Sequence, residues 1–344
     1  MAKLTINGVK YCADEGATIL QACQKKGIYV PTLCYDPRLK PGGNCRLCVV
    51  EVEGDDKLKI SCAVAATDGM VIHTNSPKVR AERKVILEKI VSEISLDDSS
   101  VHATGENKVV SYAKEYGVPL PAQSKKENIV IENEVLCLDE SKCIKCGLCV
   151  KVTNNLQHCE AINFKDGKAA NGFTFDADKC VRCGNCAFVC PTEALMTKKH
   201  FPYSANEVVK TQATCPYCGV GCQINYISKN GKLVAAEPVM DAVNNGLLCV
   251  KGRFGHEHVQ SELRPKTPLI RTNSKDEAPK WREASWDEAL DLIKDKMSAI
   301  KDKHGGEAIG FYGSGKANNE DNYMLQKFAR AVIGSNSVDV CARL

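Results

Sequence analysis

Thiolate is the side-chain ligand best suited to soft, redox-active metal centres, and sixteen of the 20 cysteines in this sequence fall into three spaced groups. The densest group is Cys143, Cys146, Cys149, Cys159, Cys180, Cys183, Cys186 and Cys190. Within it, Cys180-x2-Cys183-x2-Cys186-x3-Cys190-Pro191 is a spacing in which three thiolates of one tight loop grip a cubane and the fourth serves a second cubane. Lys142-Cys143-Ile144-Lys145-Cys146-Gly147-Leu148-Cys149 matches Lys179-Cys180-Val181-Arg182-Cys183-Gly184-Asn185-Cys186 at an offset of 37 residues. Cys190 is therefore expected to complete the site of Cys143, Cys146 and Cys149. The reciprocal position in the first half is Thr153, whose neutral hydroxyl is a poor iron ligand beside three thiolates. Cys159, six residues further on, can supply the missing thiolate to Cys180, Cys183 and Cys186 through a longer loop. The plainer reading keeps Cys159 as a buried free thiol and leaves that cubane with three cysteines.

The second group, Cys34-x10-Cys45-x2-Cys48-x13-Cys62, fits a [2Fe–2S] site, with a first gap longer than the plant-type x4. The third is Cys215-x2-Cys218-x3-Cys222-x26-Cys249. A zinc site needs four ligands per ion and commonly pairs two CxxC knuckles. That alternative predicts a colourless folded protein, whereas iron–sulfur centres predict a brown one. Cys12, Cys23, Cys137 and Cys341 remain outside the groups and read as packing residues.

Composition narrows the setting. A disulfide scaffold would be short and exported, but this chain has 344 residues. Met1-Ala2-Lys3-Leu4-Thr5 opens no apolar export segment and no twin arginine, which predicts a cytoplasmic location. No apolar run reaches the ~18 residues of a membrane span. A net charge of +4 is too small to argue for nucleic acid.

The elements that must position these thiols are legible in outline. Leu4–Ile6 and Val9–Tyr11 flank Asn7-Gly8, a hairpin signal. A helix over 17–26 follows, stopped by Gly27, then strands over 48–53 and 58–62. Two hairpins around one helix point to a β-grasp unit over 1–76. Ser76-Pro77 starts a helix with an apolar face of Val79, Ile86, Ile90 and Ile94. Residues 77–135 read as a helical spacer and linker, with Pro119 and Pro121 in the linker. The duplicated unit spans 136–205, the third cysteine group 206–265, and 266–344 begins an α/β domain. In that last segment Ser285-Trp286-Asp287-Glu288 is a capping box. Trp286, Ala289, Leu290, Ile293, Met297 and Ile300 form a helical stripe. A strand over 308–312, Gly313-Ser314-Gly315 and a helix near 321–333 follow. The fold class is α+β and multidomain.

These segments resemble known families. Pro31-Thr32-Leu33-Cys34-Tyr35 and Gly43-Asn44-Cys45-Arg46-Leu47-Cys48 resemble the N-terminal domain of the large iron–sulfur subunit of respiratory complex I, of iron hydrogenases and of cytoplasmic formate dehydrogenases. The duplicated unit resembles a bacterial two-cubane ferredoxin. Thr214–Arg253, Thr267-Pro268-Leu269-Ile270 and Ala284-Ser285-Trp286 resemble molybdopterin oxidoreductases, formate dehydrogenase catalytic subunits in particular. The order of parts looks like the N-terminal portion of the alpha subunit of an NAD- or ferredoxin-linked cytoplasmic formate dehydrogenase. That resemblance implies one [2Fe–2S] and three [4Fe–4S] clusters here. In the full-length protein it implies molybdenum or tungsten on a bis-molybdopterin guanine dinucleotide, and oxidation of formate to carbon dioxide. The partners implied are diaphorase-type NADH/flavin subunits or ferredoxin. Lys251, two residues after Cys249, occupies the place of a lysine between cubane and pterin, and Gly313-Ser314-Gly315 could approach a pterin phosphate. The competing readings are a complex I-like or hydrogenase-associated electron-transfer subunit without its own catalytic centre, and another molybdopterin enzyme of the nitrate reductase kind.

Two departures are visible. Relatives carry a further [4Fe–4S] site held by one histidine and three cysteines. Aligned through Thr104-Gly105 and 112–118, its ligand positions fall on Ile94, Asp98, Val101 and Asn107. None is His or Cys, so the scaffold is expected without that cluster, and nearby His102 is expected to be solvated. At the other end, 338–344 resembles the segment just before the metal-binding cysteine or selenocysteine, which makes Cys341 not the metal ligand. The expectation is a selenoprotein reading cut short at its special codon, against a split gene or a designed fragment. An in-frame UGA followed by a histidine codon after Leu344 is the expected nucleotide sequence; any other stop codon there contradicts it.

Overall fold

Asn7 and Gly8 adopt φ of 49° and 83°, the paired left-handed conformations of a tight hairpin turn, and join β1 (Ala2–Ile6) to β2 (Val9–Ala13). The computed structural model describes residues 1–96, 107–121, 126–198, 203 and 205–341. Its contacts divide the chain into two units, Met1–Val208 and Val209–Leu344.

In the first unit, Thr18 caps α1 (Ile19–Lys25) through a reciprocal capping box with Gln21; the helix is shorter than the 17–26 expected from sequence. β3 (Val49–Val52), β4 (Lys59–Ile60) and β5 (Val71–His73) follow. The sheet order is β2-β1-β5-β3-β4, with β5 parallel to β1 and antiparallel to β3. The two-hairpin expectation therefore lacked its central strand. β5 is only three residues long and carries no hairpin turn, so local pattern does not announce it. Leu4, Ile6, Leu20, Val50, Val52 and Ile72 form the core beneath α1.

α2 (Pro77–Glu93) is capped by Ser76, whose hydroxyl accepts from Val79 N–H at 3.3 Å. Its buried seam is Val79, Arg83, Leu87 and Val91. This corrects the stripe expected from sequence: Ile86 and Ile90 are only partly buried, and Arg83 takes a seam position. There its guanidinium donates to Val49 O (2.8 Å) and Tyr116 Oη (3.0 Å), ties that let an arginine occupy an apolar seam. α3 (Lys108–Glu115) is capped by Asn107, whose Oδ1 accepts from Val109 and Val110 N–H. Asn107 also donates to Thr192 O at 3.3 Å, while Ile94 is 3% exposed among Leu33, Leu47 and Leu87. Both are thus committed to capping or packing. Asp98, Val101 and His102 lie outside the described residues.

β6 (Ile129–Glu132), β7 (Leu136–Asp139), α4 (Leu148–Lys151), β8 (Ile162–Phe164), β9 (Phe173–Phe175), α5 (Asn185–Phe188) and β10 (Leu195–Thr197) complete this unit. They form a sheet of order β10-β7-β6 and a β8–β9 hairpin. The duplication reaches the backbone. Lys145 and Arg182 have φ of 54° and 56°, and Gly147 and Gly184 have 77° and 72°.

The second unit opens with the meander β11 (Val209–Thr214), β12 (Gln223–Lys229) and β13 (Lys232–Pro238), then α6 (Val250–Phe254). β14 (Leu269–Arg271), β15 (Trp281–Glu283), α7 (Trp286–His304), β16 (Phe311–Gly313), α8 (Asn319–Phe328) and β17 (Val338–Val340) follow. β16 and β17 are parallel and α8 lies between them in sequence. Ser285 caps α7 by accepting from Glu288 N–H, but the Glu288 side chain pairs with Arg282 rather than closing a capping box. The stripe of α7 does not form a core: Trp286 is 68% and Leu290 55% exposed. Apolar periodicity marks a face fit for burial without naming what covers it. No described helix is long and apolar enough to cross a membrane.

Leu87 joins α2 to Leu33 and Leu47, neighbours in sequence of Cys34 and Cys48. Leu87→Ala is expected to destabilise the first unit by about 2–5 kcal/mol in denaturant unfolding; a change within experimental error would contradict this core assignment.

Candidate metal centres

Cys34, Cys45, Cys48 and Cys62 come from three loops and one strand end, and the structure brings them together. Cys34, Cys48 and Cys62 are at most 4% exposed. Cys45 N–H donates to Cys34 Sγ at 3.4 Å, aided by Arg46 in the left-handed region at φ 58°. The thiols act on one another in pairs. A hydrogen bond from the Cys45 thiol, helped by the N–H groups of Cys45 and Asn44, pulls Cys34 down to about 6. A hydrogen bond from Cys62 pulls Cys48 down to about 7. Cys45 and Cys62 are pushed up by the same bonds and by burial. Each pair thus sets one lowered thiol beside one raised thiol. The loop carrying Cys34 is fixed by Arg38, which grips Asp36 through Nε (2.8 Å) and Nη2 (2.6 Å). Burial alone would raise the Asp36 carboxyl; the Arg38 bonds outweigh it and hold the carboxyl below its ordinary value.

The duplicated unit holds two cavities. One is lined by Cys143, Cys146, Cys149 and Cys190, with Phe173, Pro191 and Leu195. Lys145 N–H donates to Cys143 Sγ (3.2 Å) and Leu195 N–H to Cys190 Sγ (3.4 Å). Burial pushes Cys143 up to about 12 and Cys146 and Cys149 higher still, with the neighbouring Cys190 raising all three. Neutral thiols are thus what the protein enforces without a cation, and a polynuclear cation is what would reverse it. The second cavity is lined by Cys180, Cys183, Cys186 and Cys159 together with Thr153.

Thr153 and Cys159 have different tasks at that second cavity. The Thr153 hydroxyl lies within donating distance of Val150 O (3.0 Å), Asn154 Oδ1 (3.1 Å) and Ile162 O (3.2 Å), acceptors that share its one proton. Its carbonyl accepts from Cys159 N–H (2.9 Å) and Glu160 N–H (3.2 Å). A π-helical turn over 152–156 and left-handed His158 and Glu160 (φ 52° and 51°) bring Cys159 back to the cavity. The threonine that interrupts the cysteine pattern therefore anchors the loop that delivers a cysteine.

In the second unit, burial raises Cys215 and Cys222, and the neighbouring thiols Cys218 and Cys249 raise both further. Cys215 N–H donates to Cys222 O at 2.8 Å, closing the loop. Cys249 precedes α6, and a Cβ at Gly252 would lie 3.8 Å from Cys215 Sγ, so α6 packs close to the loop. Lys251 is exposed on α6; its carbonyl accepts from Gly255 N–H, and its side chain makes no hydrogen bond or ion pair among the described residues. Asn319 on α8 donates to Gly219 O at 2.8 Å.

Two of the ungrouped cysteines depart from the packing expectation. Cys23 is buried, but Cys12 and Cys341 are exposed; Cys12 points to solvent because alternate residues of β2 face outward. Cys341 follows β17 and lies 3.6 Å from Ser314 Oγ, at the carboxyl ends of two parallel strands, where α/β sheets place ligands. Sequence reasoning did not pair Cys341 with Ser314, since parallel pairing across α8 leaves no local signal. Ala342, Arg343 and Leu344 lie outside the described residues.

Among the described residues no three Cys, His, Asp or Glu side chains close onto a single ion; the sulfurs of the duplicated unit line two cavities instead. Comparisons with known proteins agree. A family described as a 2Fe-2S iron-sulfur cluster binding domain matches residues 1–77, and a 4Fe-4S binding domain matches 173–196. A molybdopterin oxidoreductase Fe4S4 domain matches 208–261, and a molybdopterin oxidoreductase family matches 264–344. The chain is 33% identical, over its full length and 40% of the relative, to the NADPH-Fe(3+) oxidoreductase subunit alpha of Geobacter sulfurreducens. It is 32% identical, over its full length and 40% of the relative, to an NADH-quinone oxidoreductase subunit of Rhizobium meliloti. It is 30% identical, over 99% of this chain and 39% of the relative, to a Staphylococcus aureus protein provisionally named a formate dehydrogenase. The chain spans about 40% of the length of these curated relatives.

The crossed arrangement makes a specific demand on two variants. Cys190→Ala is expected to abolish the cubane of the Cys143 loop and Cys159→Ala that of the Cys180 loop, each lowering iron by about four atoms per chain. Iron analysis and low-temperature electron paramagnetic resonance check this. A Cys159→Ala protein with full iron and an unaltered spectrum would contradict the assignment of Cys159.

Proposed function

We propose that this chain, which carries iron–sulfur and molybdopterin oxidoreductase domains in that order, is the electron-relay portion of the catalytic subunit of a formate dehydrogenase. The observation that carries the relay is spatial. Cys34 and Cys45 pack with Cys146, Leu39 and Leu148 in one buried group, so the Cys34 site and the first cavity adjoin each other, and the second cavity lies in the same duplicated unit.

Bound at these sites, each cluster supplies one-electron storage at a potential set by charge, burial and donors to sulfur. The chain's own residues do the tuning. N–H groups of Cys45, Lys145 and Leu195 point at sulfur, which favours the more negative state. Phe173, Leu138 and Leu195 exclude water from the cavity of the Cys143 loop. Cys34, Cys45, Cys48 and Cys62 would hold the [2Fe–2S] centre on a β-grasp sheet; the parallel β1–β5 pair flanked by antiparallel β2 and β3 supports that reading. Cys215, Cys218, Cys222 and Cys249 would hold a [4Fe–4S] cluster, and Lys251, two residues after Cys249, would supply a cation beside it. Ser314 and Cys341 mark where the metal-binding residue would enter.

Cys45 and Cys143 both open onto one groove along α2, which supports docking of a partner there. The names of two relatives, an NADPH-linked iron reductase subunit and an NADH-quinone oxidoreductase subunit, support a flavin- or NADH-linked subunit or a ferredoxin as that partner. They also favour the second reading, a relay subunit of a larger complex with no centre of its own.

The experiment uses the full-length protein, purified anaerobically. Formate is expected to bleach its visible absorption within a turnover, as dithionite does. Bleaching by dithionite but not by formate would overturn the formate reading and leave the relay subunit.

A further inference from the structure

The sites of Cys34 and Cys146 belong to separate domains, and one cation joins them. Lys151 closes α4, two residues after Cys149. Its half-buried ammonium donates to Lys40 O at 2.9 Å. Gly42 lets the same loop wrap it: a Cβ there would meet Nζ at 3.0 Å. Beside it, Asn44 Nδ2 donates to Cys146 O at 3.2 Å. Val152, the next residue, is fully buried with Cys34, Leu39, Cys146 and Leu148. Among the described residues no carboxylate pairs with Lys151.

We infer that Lys151 is a fixed counter-charge between the [2Fe–2S] site and the first cubane site, stabilising the reduced state of the [2Fe–2S] centre and holding the two domains together. The inference rests on the relay reading above. A half-buried ammonium bound only to a backbone carbonyl keeps its full charge for its surroundings. At the effective permittivity of protein, a unit charge about 10 Å from another is worth on the order of tenfold in an equilibrium constant. Reduction adds one negative charge to the thiolate-bound centre, so a neighbouring cation favours it and its removal disfavours it. A lysine held only to clamp the loop would act through its hydrogen bond, and the charge would be immaterial.

The test is a redox titration of the anaerobically reconstituted chain, followed by electron paramagnetic resonance, in which [2Fe–2S] and [4Fe–4S] signals separate by relaxation. Lys151→Gln keeps a donor and removes the charge; Lys151→Arg keeps the charge. Gln is expected to lower the [2Fe–2S] midpoint by about tenfold in the reduction constant, 59 mV for a one-electron couple, and Arg to leave it within threefold of the parent. Circular dichroism confirms folding of both. A parent chain with the [2Fe–2S] signal and a Gln variant with an unmoved midpoint overturns this inference alone. A parent chain with no [2Fe–2S] signal overturns the relay reading and this inference with it.

Discussion

Burying sulfur as thiolate in an apolar interior is the constraint on which the rest of this structure depends. A desolvated anion costs several kcal/mol unless charge or donors offset it. The protein shows the cost openly at Cys143, Cys146, Cys149 and Cys186, all raised by burial. It answers with backbone. Left-handed Lys145 donates its N–H to Cys143 Sγ, Arg182 and Gly184 repeat the turn of Lys145 and Gly147 in the second half, and short helices begin where those turns end. The remaining offset is what a cluster would bring.

The same constraint explains the interlocked order of the duplicated unit. Three thiols fit in one tight loop, and a fourth from that loop would crowd them. Each cavity therefore borrows from the other half: Cys190 reaches the Cys143 loop, and Cys159 reaches the Cys180 loop. The first half departs from the repeat by moving its lent cysteine six residues along. Thr153 stays in the chain as a buried hydrogen-bonding anchor for that longer loop. Where relatives are expected to hold a histidine-ligated cubane, Ile94 fills core and Asn107 caps a helix. Those two positions are put to structural use.

Much of this was legible in the sequence because the signals are local. Asn7-Gly8 and the Ser76 cap each act over a few residues, and each was found where its chemistry placed it, whereas the Thr18 cap, which starts α1 two residues later than expected, was not read. What escaped depends on distance in sequence. β5 is recognisable only once β1 and β3 offer it edges. The α2 seam was misread because Arg83 breaks the apolar period, yet its ties to Val49 and Tyr116 make it a core residue. The approach of Ser314 to Cys341 requires two parallel strands to pair across α8. The stripe of α7 was read as apolar and stays exposed, since periodicity reports a face and not its cover.

The central claim is that these sixteen thiols hold iron in one two-iron and three four-iron centres. Mössbauer spectroscopy of the chain reconstituted anaerobically with isotope-enriched iron and sulfide tests it most directly. The account predicts about fourteen irons per chain, roughly one in seven in a [2Fe–2S] environment and the rest in [4Fe–4S] cubanes. Iron present only as isolated tetrathiolate ions, or a folded chain that takes up zinc and no iron, would contradict it.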